Sequence, residues 1–323
     1  MPPRPILVPT DFSAPAAEAL AYARRVAGAT GAPLHVLHAV SWPDAGPFEV
    51  PGEAPTAAQE VAEENALAHA ALAEAVGDDD ATLVVRHSNV PAFEVRDYAR
   101  TADVGLVVMG ARGRRRPEWR GGDLVLGSVA AEVIQTAPCD VLLVPYRPDS
   151  PFSARPPRRV LVPVDFSSAS RPLAAFGLGL ARDLGADGVD LVHVLEPLPH
   201  PFRWVDETLV DVVPEIRERA AAALRKLADE VGAGVEGEPP VALYVERGKA
   251  ARTIPRVAQA LGADLVVVGP HAERPVFDRL LGSVAEGVAR RAACPVLIAR
   301  ESAAPEAHDD EVDVRSYLPE EDT

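Results

Sequence analysis

RPILVPTDFS at residues 4–13 recurs as RRVLVPVDFS at residues 158–167, and this pair decides how the rest of the chain is read. The repetition continues in order. VGLVVMG, ending at Gly110, is matched by ADLVVVG, ending at Gly269. GSVAAEVIQTAPCDVLLV from Gly127 is matched by GSVAEGVARRAACPVLIA from Gly282, identical at nine of 18 positions without a gap. A preserved order of matching segments is the signature of tandem duplication. The joint falls in RPDSPFSARPP, residues 147–157, whose four prolines disfavour a helix or a central strand and suit an extended linker. The expected organisation is therefore a first domain over 1–147, a linker over 148–157, a second domain over 158–301 and a tail over 302–323. A length of 323 residues agrees with this, because a single core stops growing at roughly 250–300 residues.

Within each half, short Val/Leu/Ile runs alternate with longer Ala-rich amphipathic stretches, as strands covered by helices on both faces do. In the first half the pattern predicts strands over 5–10, 34–39, 82–87, 105–109 and 141–144. Helices are predicted over 14–29, 57–76, 92–100 and 128–136. The second half predicts strands near Val160, Leu191, Leu243, Val266 and Leu297. Five strands with four crossover helices make a doubly wound parallel sheet, one in each half. Such sheets bind ligands beyond the carboxyl ends of their strands, where the strand order reverses. Asp11 and Asp165 end the first strands, and Gly110 and Gly269 end the fourth.

The first half reads Gly110-Ala-Arg-Gly113, then 13 residues, then Gly127-Ser128 at the start of a predicted helix. Glycines let backbone amides approach an anion and adopt positive φ, and a helix N-terminus offers unpaired N–H groups with a partial positive charge. The natural guest is a phosphate. Ser128 suits the N-cap, and its hydroxyl is equally suited to a phosphate oxygen, so both roles stand for it. Asp11 can cap the following helix or accept from an exocyclic amine or a ribose hydroxyl. No Walker A sequence is present, and GLGLAR from Gly177 falls inside a helix rather than after a strand, so neither the P-loop nor the dinucleotide fingerprint applies.

With these residues in place, the chain resembles the universal stress proteins. VPTDFS, GARG with LGSVA, and APCDVLLVP carry the resemblance in the first half. VPVDFS, LLGSVA and AACPVLIA carry it in the second. The resemblance implies strand order 3-2-1-4-5 in each half, the adenine-nucleotide alpha-hydrolase-like fold, and ATP as ligand, with Mg2+ as its companion where the site takes one. It implies adenine and ribose near Asp11 and Val40, and the triphosphate over Gly110, Arg112, Gly113, Gly127, Ser128 and Val129. Asp165, Gly269, Gly282 and Ser283 are the matching positions of the second half. It also implies that the final strands meet, so that residues 141–145 face 296–299 in an intrachain pseudo-dimer, with a homodimer of chains as a further option.

The halves depart from the ATP-binding pattern differently. The first keeps both glycines of Gly-x-x-Gly but carries four extra residues before Gly127. The second keeps the usual nine-residue spacing, yet Ala272 replaces a glycine and Pro270 removes a backbone donor. The first half is therefore the expected binding site. The arginine run Arg112, Arg114, Arg115 and Arg116 reads as a solvated loop, Arg112 excepted. His38 and His193 read as core or rim residues, and Cys139 and Cys294 as buried small hydrophobes.

Composition narrows the function. A net charge of −16 argues against nucleic-acid binding, and no apolar run is long enough to cross a bilayer. The start, MPPRPILVPTDFS, lacks the features of a secretory signal, so a cytoplasmic location is expected. The tail supplies −7 of that charge and has little apolar content, and it is expected to be disordered. Only Asp11, Asp165 and Asp123 stand in reach of a bound phosphate, which is too little for fast phosphoryl transfer. Three readings follow: a nucleotide-binding regulatory module of the stress-response type with at most slow hydrolysis, a nucleotide-free interaction scaffold, and a true hydrolase.

Overall fold

A computed structural model of the chain describes residues 3–41, 57–77, 80–112, 126–147, 152, 156–196, 214–269 and 282–300. The first half runs β1 (Ile6–Pro9), α1 (Ala14–Thr30), β2 (Leu34–Val40), α2 (Ala57–Val76), β3 (Ala81–His87), α3 (Pro91–Thr101), β4 (Leu106–Gly110), α4 (Ser128–Thr136) and β5 (Asp140–Val144). The second half repeats it: β6 (Arg159–Val164), α5 (Ser170–Asp183), β7 (Gly188–Leu195), α6 (Pro214–Glu230), β8 (Val241–Arg247), α7 (Ala250–Leu261), β9 (Leu265–Val268), α8 (Ser283–Arg291) and β10 (Val296–Ile298). The expected linker lies mostly, and the tail wholly, outside the described residues.

Local chemistry sets the element ends. Ser13 caps α1 by accepting from the Ala16 amide, Pro15 occupies its first turn, and Gly31 closes it in the left-handed region at φ 68°. The strands of each half pair in parallel in the order 3-2-1-4-5, as β3-β2-β1-β4-β5 and β8-β7-β6-β9-β10. The halves then join. β5 and β10 pair antiparallel, Val141 with Ile298, Leu142 with Leu297 and Leu143 with Val296, making one ten-stranded sheet.

Alternation along the strands divides the buried side chains between two faces. Leu7, Val107, Val141, Leu161 and Ile298 pack under α3, α4, α7 and α8. Val8, Val108, Leu142, Val162 and Leu297 pack under α1, α2, α5 and α6. Each core runs through both halves without a break at β5 and β10. Among the described residues no helix is long and apolar enough to cross a membrane.

GLGLAR is helical, as expected, and its first glycine has a packing reason. A Cβ on Gly177 would stand 2.5 Å from Val162 Cγ2, so α5 lies against β6 at a distance only glycine permits. Gly179, two residues on, meets nothing closer than the Arg182 guanidinium at 3.7 Å. Gly177→Ala is expected to destabilise the protein by about 1–3 kcal/mol through overpacking. Gly179→Ala is expected to add about 0.5–1 kcal/mol through helix propensity. Urea denaturation of the two variants checks the opposite signs.

Candidate functional site

The carboxyl ends of β1, β2 and β4 open on a cavity of about 610 Å³ whose lining includes Asp11, Gly110, Arg112, Gly127, Ser128 and Val129. The positions that the sequence singled out thus meet in one place, although β1 and β4 are about a hundred residues apart in the chain. Val40 is the exception. Its neighbours Ala39 and Ser41 line the cavity, while its carbonyl accepts the Ser88 amide at 2.8 Å. Gly113 and residues 114–116 lie outside the described residues, as do Asp123, Pro270 and Ala272. The floor is apolar, built from Leu37, Val95, Met109 and Leu126, which the sequence reading did not single out because in a strand or helix such residues look like ordinary core.

The anion-facing end differs from expectation in one respect. Gly127, not Ser128, is the N-cap of α4, with φ −62°, ψ 150° and no side-chain capping bond; Ser128 is the first helical residue and is exposed. A glycine cap leaves the first-turn amides of α4 without a side-chain acceptor, and no acid stands in that turn. Positive φ is not why Gly110 and Gly127 are there. Gly110 is absent from the positive-φ residues, and a Cβ on it would come within 2.9 Å of the Pro15 carbonyl oxygen. The N-terminus of α1 is therefore seated on bare backbone at Gly110. Arg112 stands at the edge of the cavity, where burial holds its guanidinium below the usual arginine range.

Asp11 serves the turn before α1. Its carboxylate accepts the Ser13 amide at 3.1 Å and the Ser13 hydroxyl. The turn is strained, with Phe12 at φ 60°, and the same strain recurs at Phe166 with φ 63°. A histidine holds each turn. His38 Nδ1 donates to the Thr10 carbonyl at 2.8 Å and its ring packs at a tilt against Phe12; His193 Nδ1 donates to the Val164 carbonyl at 2.9 Å and packs likewise against Phe166. Both histidines are half-buried, in keeping with the core-or-rim expectation, and each braces the turn beside it. Both cysteines are buried, and burial pushes the Cys294 thiol up to about 12, which removes it from thiolate chemistry.

The second half gathers Asp165, Gly269, Gly282 and Ser283 around a smaller cavity of about 220 Å³. Two substitutions distinguish it. Ser170 stands where the first half has Ala16, so Asp165 Oδ1 accepts from the Ser167 amide, the Ser167 hydroxyl and the Ser170 hydroxyl. Burial works to raise the Asp165 pKa, but these hydrogen bonds outweigh it and hold the carboxyl below its ordinary value. Glu286 stands where the first half has Ala131, placing a carboxylate in the first turn of α8 and pairing it with Arg290 at 2.7 Å. Both differences were visible in the aligned repeats. Among the described residues no group of three or more His, Cys, Asp or Glu side chains is placed to hold a metal ion.

The family model described as "Universal stress protein family" matches twice, over residues 3–145 and 157–300. The chain belongs to the universal stress protein family. A universal stress protein of Mycolicibacterium smegmatis is 30% identical over 311 residues, covering 91% of this chain and 96% of its own. One from Mycobacterium tuberculosis is 32% identical over 304 residues, covering 92% and 96%. The crystal structure of a universal stress protein from Archaeoglobus fulgidus superimposes with a TM-score of 0.61 at 20% identity, over 91% of this chain and 95% of that one, and shows the same fold.

Within this universal stress protein the two strand-four glycines are not equivalent. A Cβ on Gly269 would meet only Leu173 Cδ2, at 3.7 Å, whereas one on Gly110 would meet backbone. Gly110→Ala is expected to cost about 1–3 kcal/mol and Gly269→Ala less than about 0.5 kcal/mol. Thermal unfolding of the two variants side by side measures the difference.

Proposed function

We propose that the first half binds one ATP per chain and that occupancy, rather than rapid turnover, is what this stress-response protein uses. The observation that carries the reading is the start of α4. Its first-turn amides have no side-chain cap, that turn holds no acid, and it lines, together with Arg112, a cavity of about 610 Å³. That volume is in the range of ligand pockets, roughly 300–1,000 Å³, whereas 220 Å³ in the second half falls below it. The amides and the guanidinium suit the triphosphate, and the apolar floor with Asp11 at its margin suits the base and ribose. Mg2+ would arrive on the phosphates, with Asp11 as a carboxylate lining the cavity. Hydrolysis would be slow, because among the described residues the lining offers Asp11 but no second carboxylate to divide the tasks of general base and metal ligand.

A nucleotide-free scaffold is the reading for the second half. The carboxylate of Glu286 occupies the helix turn that would receive a phosphate, and its field opposes an anion there. Titration calorimetry with ATP is expected to give one site per chain. Arg112→Ala should weaken binding by about ten- to a hundredfold, through loss of a charge-assisted contact. Ala131→Glu, which copies the second half's acid into the first, should weaken it about three- to tenfold. Glu286→Ala should leave the measured affinity unchanged. No ATP uptake by the unaltered protein, or equal losses from changes in either half, would overturn the proposal.

A further inference from the structure

The seam between β5 and β10 is almost two-fold symmetric: inside it the only departures are the apolar exchanges Leu143 for Ile298 and Val144 for Ala299, and the departures that change hydrogen bonding lie at its ends. In the aligned repeats, Asp140 corresponds to Pro295 and Pro145 to Arg300. The antiparallel register centred on Leu142 and Leu297 therefore brings Asp140 and Arg300 together at one end and the two prolines together at the other. At the first end the Arg300 amide donates to Asp140 Oδ1 at 2.6 Å, and the Arg300 guanidinium donates to the Ile134 carbonyl in the last turns of α4. Asp140 is 5% exposed and both prolines are buried. The Arg300 guanidinium is held below the usual arginine range by burial, against the pull of Cys139 and Asp140.

Consider the same seam built from two identical halves. Two first halves would set Asp140 of each against Pro145 of the other, and proline has no N–H to give. Two second halves would set the Arg300 amide of each against Pro295, which has no side-chain acceptor. Neither pairing can make the amide-to-carboxylate bond at either end: two first halves would leave two buried carboxylates without that donor, far costlier than the bond's net gain, and two second halves would leave two Arg300 amides without that acceptor. The mixed pairing avoids this by placing both prolines at one end.

We propose that Asp140, Pro145, Pro295 and Arg300 form a heterotypic key by which β5 accepts β10 and rejects another β5. The partner that fits this surface is the chain's own second half, and the edge that a homodimer of like halves would need is closed by mismatch as well as by occupancy.

The test cuts the folded full-length chain at a protease site placed between residues 148 and 157, so that only the seam holds the halves, and weighs the assemblies by native mass spectrometry after equilibration. The cut wild-type chain is expected to give the one-to-one complex, with pairs of like halves at least about a hundredfold rarer. In Asp140→Pro/Arg300→Pro both ends carry only prolines, so like pairs should appear beside the mixed one. Asp140→Pro/Pro145→Arg/Pro295→Asp/Arg300→Pro moves the bond to the opposite end and should restore the one-to-one complex. The key is overturned if the cut wild-type chain shows abundant like pairs or separates into single halves. It is overturned equally if the double variant stays wholly one-to-one, or if the transposed variant scrambles as the double variant does. Should the transposed variant fail to fold, the wild type and the double variant still decide.

Discussion

A five-stranded parallel sheet ends at an edge whose N–H and C=O groups must be paired, covered or exposed, and in this chain the pairing of β5 with β10 resolves that constraint for both halves at once. Val141, Leu143 and Ile298 bury one face of the seam and Leu142, Val144 and Leu297 the other, so the two hydrophobic cores continue from half to half. Strands covered on both faces have no room for a polar alternation, which is why β5 reads as DVLLV and β10 as VLI.

The antiparallel seam has a geometric consequence for the crevices. Each opens at the carboxyl end of its own strands, and because β5 and β10 run in opposite directions the two openings face opposite edges of the shared sheet. The seam and the two cores that cross it join the crevices physically. Arg300 offers a physical route, since it reaches from the end of β10 to the Ile134 carbonyl in α4, the helix whose other end lines the first crevice.

The sheet was legible in the sequence because apolar runs and the repeat report backbone pattern directly. Predicted and observed strands differ by one residue or so at their ends, and the order 3-2-1-4-5 follows once the family resemblance is added. The meeting of Asp11 with Gly110 was legible for the same reason, as a matter of topology. What was not legible depends on exact backbone course. Sequence makes Ser128 look like the cap because serine caps many helices, but a cap must have extended φ/ψ, and it is Gly127 that has them. Likewise the sequence gives no sign that Gly110, which lines the cavity, must also admit the close approach of Pro15, on a helix 95 positions earlier in the chain. Val40 was named one residue away from the cavity wall that Ala39 and Ser41 form.

The divergence of the halves turns on small changes placed where fields are strongest. Both keep the glycine cap, the strained Phe turn and the histidine that supports it, so the scaffold of a crevice survives twice. Glutamate at 286, where the first half has alanine, leaves that scaffold in place, yet it puts a carboxylate, partly offset by Arg290, within one turn of a helix N-terminus, where the partial positive charge is concentrated. Replacing alanine by serine at 170 draws the Asp165 carboxylate back into its own loop. Neither change affects the fold, since both residues sit at helix starts away from the seam. A duplicated domain is free to make such changes in one copy because neither Glu286 nor Ser170 belongs to the β5–β10 pairing that joins the halves.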